Sequence, residues 1–344
     1  AEARFTNVTS VAEQAEPDAR FPTVAFPNPE EKGAMDLSFA YAEKHLAELV
    51  IANYPDADRL AVAVPSPYVG SSTLPAGRIL QKYVQLTGNQ VGVLLGHYVL
   101  TEPRANETKR LVAASIVSSP ELGNIAKQLG VRFEATLTGF KWIANRAMEL
   151  EREENLAFVF GYEEALGYTV GDIVRDKDGI SAAVMIAEMT AVLRSRGKSL
   201  TAELESIARK YGLFVSKQVS VTKKGASGSA EIRAIMQRLR ESPPAAIGPF
   251  RVAAFVDVAA GTRVASSGGA SEKIALPKSD VVIFELDGGS RVIARPSGTE
   301  PKIKYYFDVR GDVRAGEPFA DAERRAKKML DDAVHAFGTI ADLA

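Results

Sequence analysis

Leu156-Ala157-Phe158-Val159-Phe160, residues 156–160, is a short apolar run that opens into Gly161-Tyr162-Glu163-Glu164, and an apolar-periodic segment from Ile180 to Arg194 follows it. A run of this length closed by glycine reads as a buried strand, and the longer segment reads as a helix. The same alternation continues upstream. Gly88 to Leu100 sets Val91, Leu94, Leu95 and Tyr98 on one helical face, Arg110 to Val117 is a strand, and Glu121 to Leu129 is a helix. Strand and helix in alternation predict an α/β layer with a largely parallel sheet.

Towards the N-terminus, Met35, Phe39, Ala42, Leu46 and Leu49 form the apolar stripe of a helix, with His45 off it. Leu49 to Ala52 and Leu60 to Val64 read as buried strands holding an Asp-rich turn between them, and the Pro-, Ser- and Gly-rich stretch from Pro65 to Pro75 reads as a linker. Towards the C-terminus, Gly225 to Ser229 is flexible, a helix near Glu231 to Arg240 ends at Ser242-Pro243-Pro244, and a second boundary falls in this region. Val281 to Leu286 and Arg291 to Arg295 flank Asp287-Gly288-Gly289 as a hairpin, Ile303 to Val309 adds a strand, and Phe319, Ala322, Ala326, Met329, Ala333 and Phe337 mark a closing helix. This last part is α+β.

The chain of 344 residues is 46% apolar, enough for two or three cored domains. Its 42 Lys and Arg against 43 Asp and Glu give a formal charge of −1, which argues against a polyanion or membrane partner. The absence of cysteine removes disulfides, thiolate catalysis and Cys-ligated zinc, and agrees with a reducing compartment. With only His45, His97 and His335, scattered among helical patterns, acid–base work falls to Lys, Arg, Asp or Glu. No apolar run reaches the roughly 18 residues of a membrane span, and the start has no signal pattern, so a soluble cytoplasmic protein is expected. The opening Ala1-Glu2-Ala3-Arg4-Phe5 lacks an initiator methionine and reads as the interior of a longer polypeptide.

Three polar loops and a lysine carry chemistry. Arg295 to Lys302 joins two strands and offers a guanidinium, an ammonium, the hydroxyls of Ser297 and Thr299, and Gly298, where backbone N–H groups can approach an anion: a phosphate cradle or an ordinary Ser-Gly turn. Asp56 and Asp58, two apart in a tight loop, can turn towards one hard cation such as Mg²⁺ with Arg59 beside them, or act as turn-capping carboxylates. Glu163 and Glu164, just past a strand in a glycine-flanked loop, can accept from sugar hydroxyls or be solvated. Lys141, in Thr138-Gly139-Phe140-Lys141-Trp142, stands between aromatic residues where partial burial would suit it to acid–base work; otherwise it is a snorkelling lysine at a helix start.

Four of these stretches, in order, resemble the α-D-phosphohexomutases, the phosphoglucomutase and phosphomannomutase superfamily. Pro55-Asp56-Ala57-Asp58-Arg59 is similar to its magnesium loop, and Thr138-Gly139-Phe140-Lys141-Trp142 to its lysine-bearing turn. Gly161-Tyr162-Glu163-Glu164-Ala165-Leu166-Gly167 is similar to its sugar-recognition loop, and Arg295-Pro296-Ser297-Gly298-Thr299 to its distal phosphate loop; Asn28-Pro29-Glu30-Glu31 fits the same branch. The resemblance implies four domains around a cleft, of which this chain holds two α/β mixed-sheet domains, the first incomplete, and a smaller α+β C-terminal domain. The segments are 1–70 with the metal loop, 71–230 with the sugar loop, and 231–344 with the phosphate loop. It further implies phosphoryl transfer between the C1 and distal hydroxyls of a sugar phosphate, through a bisphosphorylated sugar and a phosphoserine. In that scheme Asp56 and Asp58 hold Mg²⁺, Arg59 assists at the phosphoserine and Lys141 is the acid–base group. Glu163 and Glu164 bind sugar hydroxyls, and Arg295, Ser297, Gly298, Thr299 and Lys302 clamp the non-transferring phosphate.

The chain departs from that pattern at three places. No Ser-His pair occurs, so the nucleophile is absent and this chain alone is expected to be inactive; Tyr54 stands where the metal loop begins with aspartate, a poor Mg²⁺ ligand unless Asn53 or water fills the position; and Ala165 replaces a sugar-contacting serine. A phosphopentomutase of the same superfamily and a non-catalytic sugar-phosphate binding protein are the alternatives. An NTP-dependent kinase lacks its Gly-x-x-x-x-Gly-Lys-Ser/Thr cradle.

Overall fold

In the computed structural model, which describes residues 5–66, 72–73, 79–80, 82–102, 109–223, 227–298 and 300–341, the 156–164 stretch lies at the centre of a four-stranded sheet. The chain divides into two compact units, residues 1–118 with 122–204, and residues 205–344 with 119–121. Among the described residues no helix is long and apolar enough to cross a membrane.

The first unit begins with α1 (Asp36–His45), β1 (Val50–Asn53) and β2 (Leu60–Pro65). The helical stripe expected to continue through Leu46 and Leu49 stops early, because Leu46 turns left-handed at φ 52° and its N–H closes on Ala42 C=O. The Tyr83 hydroxyl lies within hydrogen-bond reach of the carbonyls of Ala42 (3.0 Å) and Ala47 (2.6 Å), so the helix end is satisfied where it stops. β1 is an edge strand with alternating burial, and Ile51 is 37% exposed, in contrast to the buried run expected there. β2 is buried along almost its whole length and pairs antiparallel with β1. The expected linker at 65–75 falls largely on residues 67–71 and 74–75, outside the described residues; Ser72–Thr73 (β3) pairs with Ile79–Leu80 (β4), and Tyr83–Gln85 (β5) adds a third strand to the β1–β2 sheet.

The larger sheet runs β7-β6-β8-β9, from β6 (Arg110–Ser115), β7 (Arg132–Thr136), β8 (Ala157–Glu163) and β9 (Gly167–Val170). β6 pairs parallel with β7 and with β8, and β9 closes one edge antiparallel. α2 (Gly88–Thr101) precedes these strands, α3 (Glu121–Gln128) and α4 (Phe140–Glu154) connect β6 to β7 and β7 to β8, and α5 (Gly179–Ser195) follows β9. A bulge at the Leu111/Val112 pairing sends Phe158 into a cluster with Ile143, Ala147 and Leu150 of α4. Phe160 and Tyr162 meet α2 instead, whose Gly92 and Gly96 leave room for their rings. Two covered faces explain why strands 110–115 and 157–163 read as continuous apolar runs. The α2 start is fixed by a capping box in which Thr87 and Gln90 satisfy each other's N–H groups.

The division between units falls inside α6 (Leu200–Tyr211). The second unit is an antiparallel sheet in the order β10-β17-β16-β15-β12-β13-β14, from β10 (Leu213–Thr222), β12 (Phe250–Asp257), β13 (Thr262–Ala265), β14 (Glu272–Lys273), β15 (Val282–Leu286), β16 (Arg291–Pro296) and β17 (Lys302–Gly311), with β11 (Ala246–Ile247) beside β12. The Asp287-Gly288-Gly289 hairpin joins β15 to β16 as expected, with Gly288 and Gly289 at positive φ. β10 lies within the segment 71–230 of the sequence reading, yet it is paired over its whole length with β17. Two helices, α7 (Gly228–Glu241) and α8 (Phe319–Ile340), cover the sheet; Phe337 sits among the rings of Phe284, Tyr305 and Phe307 at 5.4–5.8 Å. Asp308 is 2% exposed and is satisfied by Arg291 Nε (2.8 Å) and Ser216 Oγ (2.6 Å) from the flanking strands.

A Cβ at Gly92 would lie 2.4 Å from the Tyr162 ring. Gly92→Ala should therefore destabilise the chain by about 1–3 kcal/mol in urea unfolding, in spite of alanine's better helix propensity. An unchanged midpoint would refute this packing of α2 on β8.

Candidate functional site

Tyr54 to Arg59 link β1 to β2 in a loop that closes on itself. Ala57 N–H donates to Tyr54 C=O (2.9 Å) and Asn53 Nδ2 donates to Arg59 C=O (2.8 Å). Ala57 takes φ 56°, a left-handed conformation that costs a non-glycine residue about 1–2 kcal/mol and needs outside support. The support comes from the start of α5: Gly179 N–H donates to Ala57 C=O (3.0 Å), and a Cβ at Gly179 would lie 2.5 Å from the Arg59 carbonyl oxygen. Asp178 fixes that helix start by accepting from the N–H groups of Ile180 and Ser181.

The turn after β8 is joined to the same loop. The sequence reading sets Glu163 in a loop past the strand, but it is the last residue of β8 and is 8% exposed, because pairing with β9 carries the strand to Glu163↔Gly167. Leu60 N–H donates to Leu166 C=O (3.0 Å) and Arg59 bridges to Gly167. Glu163 Oε1 accepts the N–H of Gly139 (2.6 Å), the residue before α4. Glu164 turns inward rather than into solvent: its carboxylate accepts from the hydroxyls of Ser115 (3.2 Å) and Ser118 (3.3 Å), and its N–H donates to Ser118 Oγ (3.0 Å). Burial, and then the neighbouring Glu163 carboxylate, push the Glu164 carboxyl above its ordinary range in spite of these hydrogen bonds.

Lys177, which the sequence reading did not single out, contacts this cluster. Its Nζ is 3.0 Å from Asp58 Oδ2 and 3.0 Å from Asp176 Oδ1, and 5.9 Å from the Phe140 ring. Burial pulls the ammonium down, but the hydrogen bonds and charges of Asp58 and Asp176 more than offset it and hold it above its ordinary value. The available signal was the charged triplet Asp176-Lys177-Asp178 just ahead of a helix. Ser115 and Ser118, equally unforeseen, end β6 and the turn after it.

The loop is a poor fit to a divalent ion. Asp56 is exposed, Asp58 is paired with Lys177, and among the described residues no group of three or more His, Cys, Asp or Glu could hold a metal. Tyr54 gives its hydroxyl to Asn28 and lies 5.1 Å from the Arg59 guanidinium, and Asn53 uses its Nδ2 on the loop backbone. Lys141 is exposed on the first turn of α4, 5.8 Å from the Trp142 ring, so the partial burial expected of it is not met: the helix starts at Phe140 and turns that position outward.

In the second unit, Arg295 is the last residue but one of β16 and lies opposite Lys304, and β17 begins at Lys302. The N–H of Ser297 donates to Lys302 C=O and that of Lys302 to Glu300 C=O, both at 2.7 Å, so these two amides serve the turn itself rather than an anion. Lys302 Nζ is 3.6 Å from the Glu300 carboxylate, and around Gly298 a Cβ would meet nothing within 4 Å. Thr299 lies outside the described residues.

Comparison with known proteins covers most of this sequence. The pattern of phosphoglucomutase/phosphomannomutase alpha/beta/alpha domain II matches residues 1–67, that of alpha/beta/alpha domain III residues 87–211, and that of the C-terminal domain residues 231–326. A probable phosphomannomutase of Haemophilus influenzae is 43% identical over 302 residues, covering 88% of this chain and 54% of the relative; a human phosphopentomutase is 36% identical over 342 residues, covering 95% and 52%. The open-form crystal structure of pp63/parafusin, a phosphoglucomutase from Paramecium, shares the fold with a TM-score of 0.59 at 17% identity, over 92% of this chain and 50% of that one. The chain thus spans about half the length of the curated relatives it matches.

A raised carboxyl binds its proton more tightly in the folded state. The stability share of Glu164 is therefore full below its ordinary 4.5 and is lost as pH rises through the higher folded value. Glu164→Gln, which can keep the serine contacts without a titrating proton, should lose less melting temperature than the unmodified chain as pH rises above 4.5 through the raised folded value. Equal losses in both would contradict the buried setting of this carboxyl.

Proposed function

The chain belongs to the α-D-phosphohexomutase superfamily, and on that premise we propose that it carries the sugar- and phosphate-recognising part of a sugar-phosphate mutase. The reaction would move a phosphoryl group between the C1 hydroxyl and a distal hydroxyl of a hexose or pentose phosphate through a bisphosphorylated sugar. The observation that carries this reading is the convergence on one turn of three polar segments distant in sequence: Leu166 receives the Asp loop, Glu163 receives the α4 start, and Glu164 is anchored on β6. Rigid placement of polar groups is what phosphoryl transfer asks of a protein, since the barrier falls mainly by positioning and charge stabilisation.

In this reading Glu163 accepts from sugar hydroxyls with the lone pairs that Gly139 does not use. Arg59, held by the Gly167 bridge, faces the transferring phosphoryl group, and Lys141, on an exposed and unhindered helix turn, moves the proton of the sugar hydroxyl. Arg295, Ser297, Gly298, Thr299 and Lys302 take the phosphate that is not transferred, with the guanidinium as the main contact. The nucleophilic serine lies outside this chain. The 36% identity to a human phosphopentomutase keeps pentose phosphates beside hexose phosphates as substrates.

Calorimetry with glucose 1,6-bisphosphate should show binding to the chain, weakened about tenfold or more by Arg295→Ala, because a charge-assisted hydrogen bond contributes about 1.5–3 kcal/mol. Unchanged affinity would remove the phosphate assignment. Turnover of glucose 1-phosphate or ribose 1-phosphate should need a serine-bearing segment joined ahead of Ala1; binding without turnover in that longer polypeptide would favour a non-catalytic sugar-phosphate binding protein.

A further inference from the structure

The Asp56-Ala57-Asp58 spacing suits a cation held by two carboxylates, yet the chain brings a cation of its own to this place. Lys177 Nζ lies 3.0 Å from Asp58 Oδ2, with Lys177 17% exposed, so the ion pair is largely shielded from water. The lysine stem has a dedicated path: a Cβ at residue 167 would come 2.7 Å from Lys177 Cδ and 3.0 Å from its Cγ, and glycine there leaves the space. Gly167 is also the residue that bridges to Arg59, so the stem, the turn and the Asp loop pack as one assembly. Arg59 Nε approaches the other oxygen of the same carboxylate at 3.8 Å. Both oxygens of Asp58 therefore face a protein cation.

The rest of the loop supplies little to a divalent ion. Asp56 is exposed, the Tyr54 hydroxyl is committed to Asn28, and a neutral phenol is a weak ligand for a hard cation that takes about six oxygens. An ion bound at Asp58 would have to displace an ammonium in contact with the same carboxylate, and mutual repulsion of two cations at this range is strong.

We propose that the Lys177 ammonium is the resident cation of the Asp56–Asp58 loop, and that it neutralises Asp58 in this chain where the spacing alone suggests a divalent ion. The inference stands on the loop and its packing and does not need the sugar-phosphate reading. It makes Gly167 a positioning residue for the lysine stem.

Mn²⁺ is the probe, followed by the spin-resonance signal of the free ion during titration of the full chain. The unmodified chain should leave the signal undiminished up to about 1 mM ion, the weak end of the range for built carboxylate sites. Lys177→Met keeps an apolar stem and removes the charge; it should tighten Mn²⁺ binding about tenfold or more, and adding Asp58→Asn should abolish the gain. Sub-millimolar uptake by the unmodified chain that Asp58→Asn abolishes would overturn the proposal, and this arm decides even if Lys177→Met fails to fold. A folded Lys177→Met chain with no gain would overturn it as well. Bisphosphate binding through Arg295 is measured separately, so the two readings fail independently.

Discussion

The hydrogen bond from Leu60 N–H to Leu166 C=O, with the Arg59–Gly167 bridge beside it, is the constraint on which the first unit's polar cluster depends. A backbone contact of this kind fixes two loops without using a side chain. Left-handed residues occur on both sides, Ala57 in one loop and Leu166 in the other. Each conformation is unfavourable alone; the Ala57 carbonyl is held by Gly179 N–H and the Leu166 carbonyl by Leu60 N–H.

Each unit, taken by itself, solves the same problem of burying charge. In the first, Glu164 is placed against two serine hydroxyls and carries the raised proton affinity that burial imposes. In the second, Asp308 is shielded from water only because Arg291 and Ser216 reach it from the adjacent strands. A lone buried carboxylate would cost several kcal/mol, so such partners come as sets. Glycine serves both the packing and the cluster: Gly92 admits Tyr162, Gly167 admits Lys177 and Gly179 admits the Asp loop. The apolar layers of the fold set the distances at which the polar loops meet.

Much of the architecture was legible because it follows local rules. The 180–194 helix, the hairpin at Asp287-Gly288-Gly289 and the closing helix from Phe319 all obey periodicity or turn chemistry, and each is found within a residue or two of its expected place. What was not legible is long-range. The end of α1 at His45 depends on Tyr83, the extension of β8 to Glu163 depends on β9, and the place of β10 depends on β17. In the candidate site the motif residues Asp58, Glu163 and Glu164 could be picked out as polar groups beside strands. Their pairing with Lys177, Ser115 and Gly139 could not, since no spacing rule links a lysine ahead of one helix to an aspartate between two distant strands. Of the two readings of Lys141, the lysine at a helix start matches its place: the first turn of α4 faces it to solvent and the sheltered setting is not found.

The most direct test of the account is native-state hydrogen exchange at three amides: Leu60, Gly139 and Gly179, which donate to Leu166, Glu163 and Ala57 respectively. If the turn, the Asp loop and the two helix starts form one assembly, these amides share a single opening free energy and lose protection together when Gly167 is replaced by alanine. Unrelated rates in the unmodified chain, with Gly139 and Gly179 exchanging as open loops while Leu60 stays protected, would contradict it.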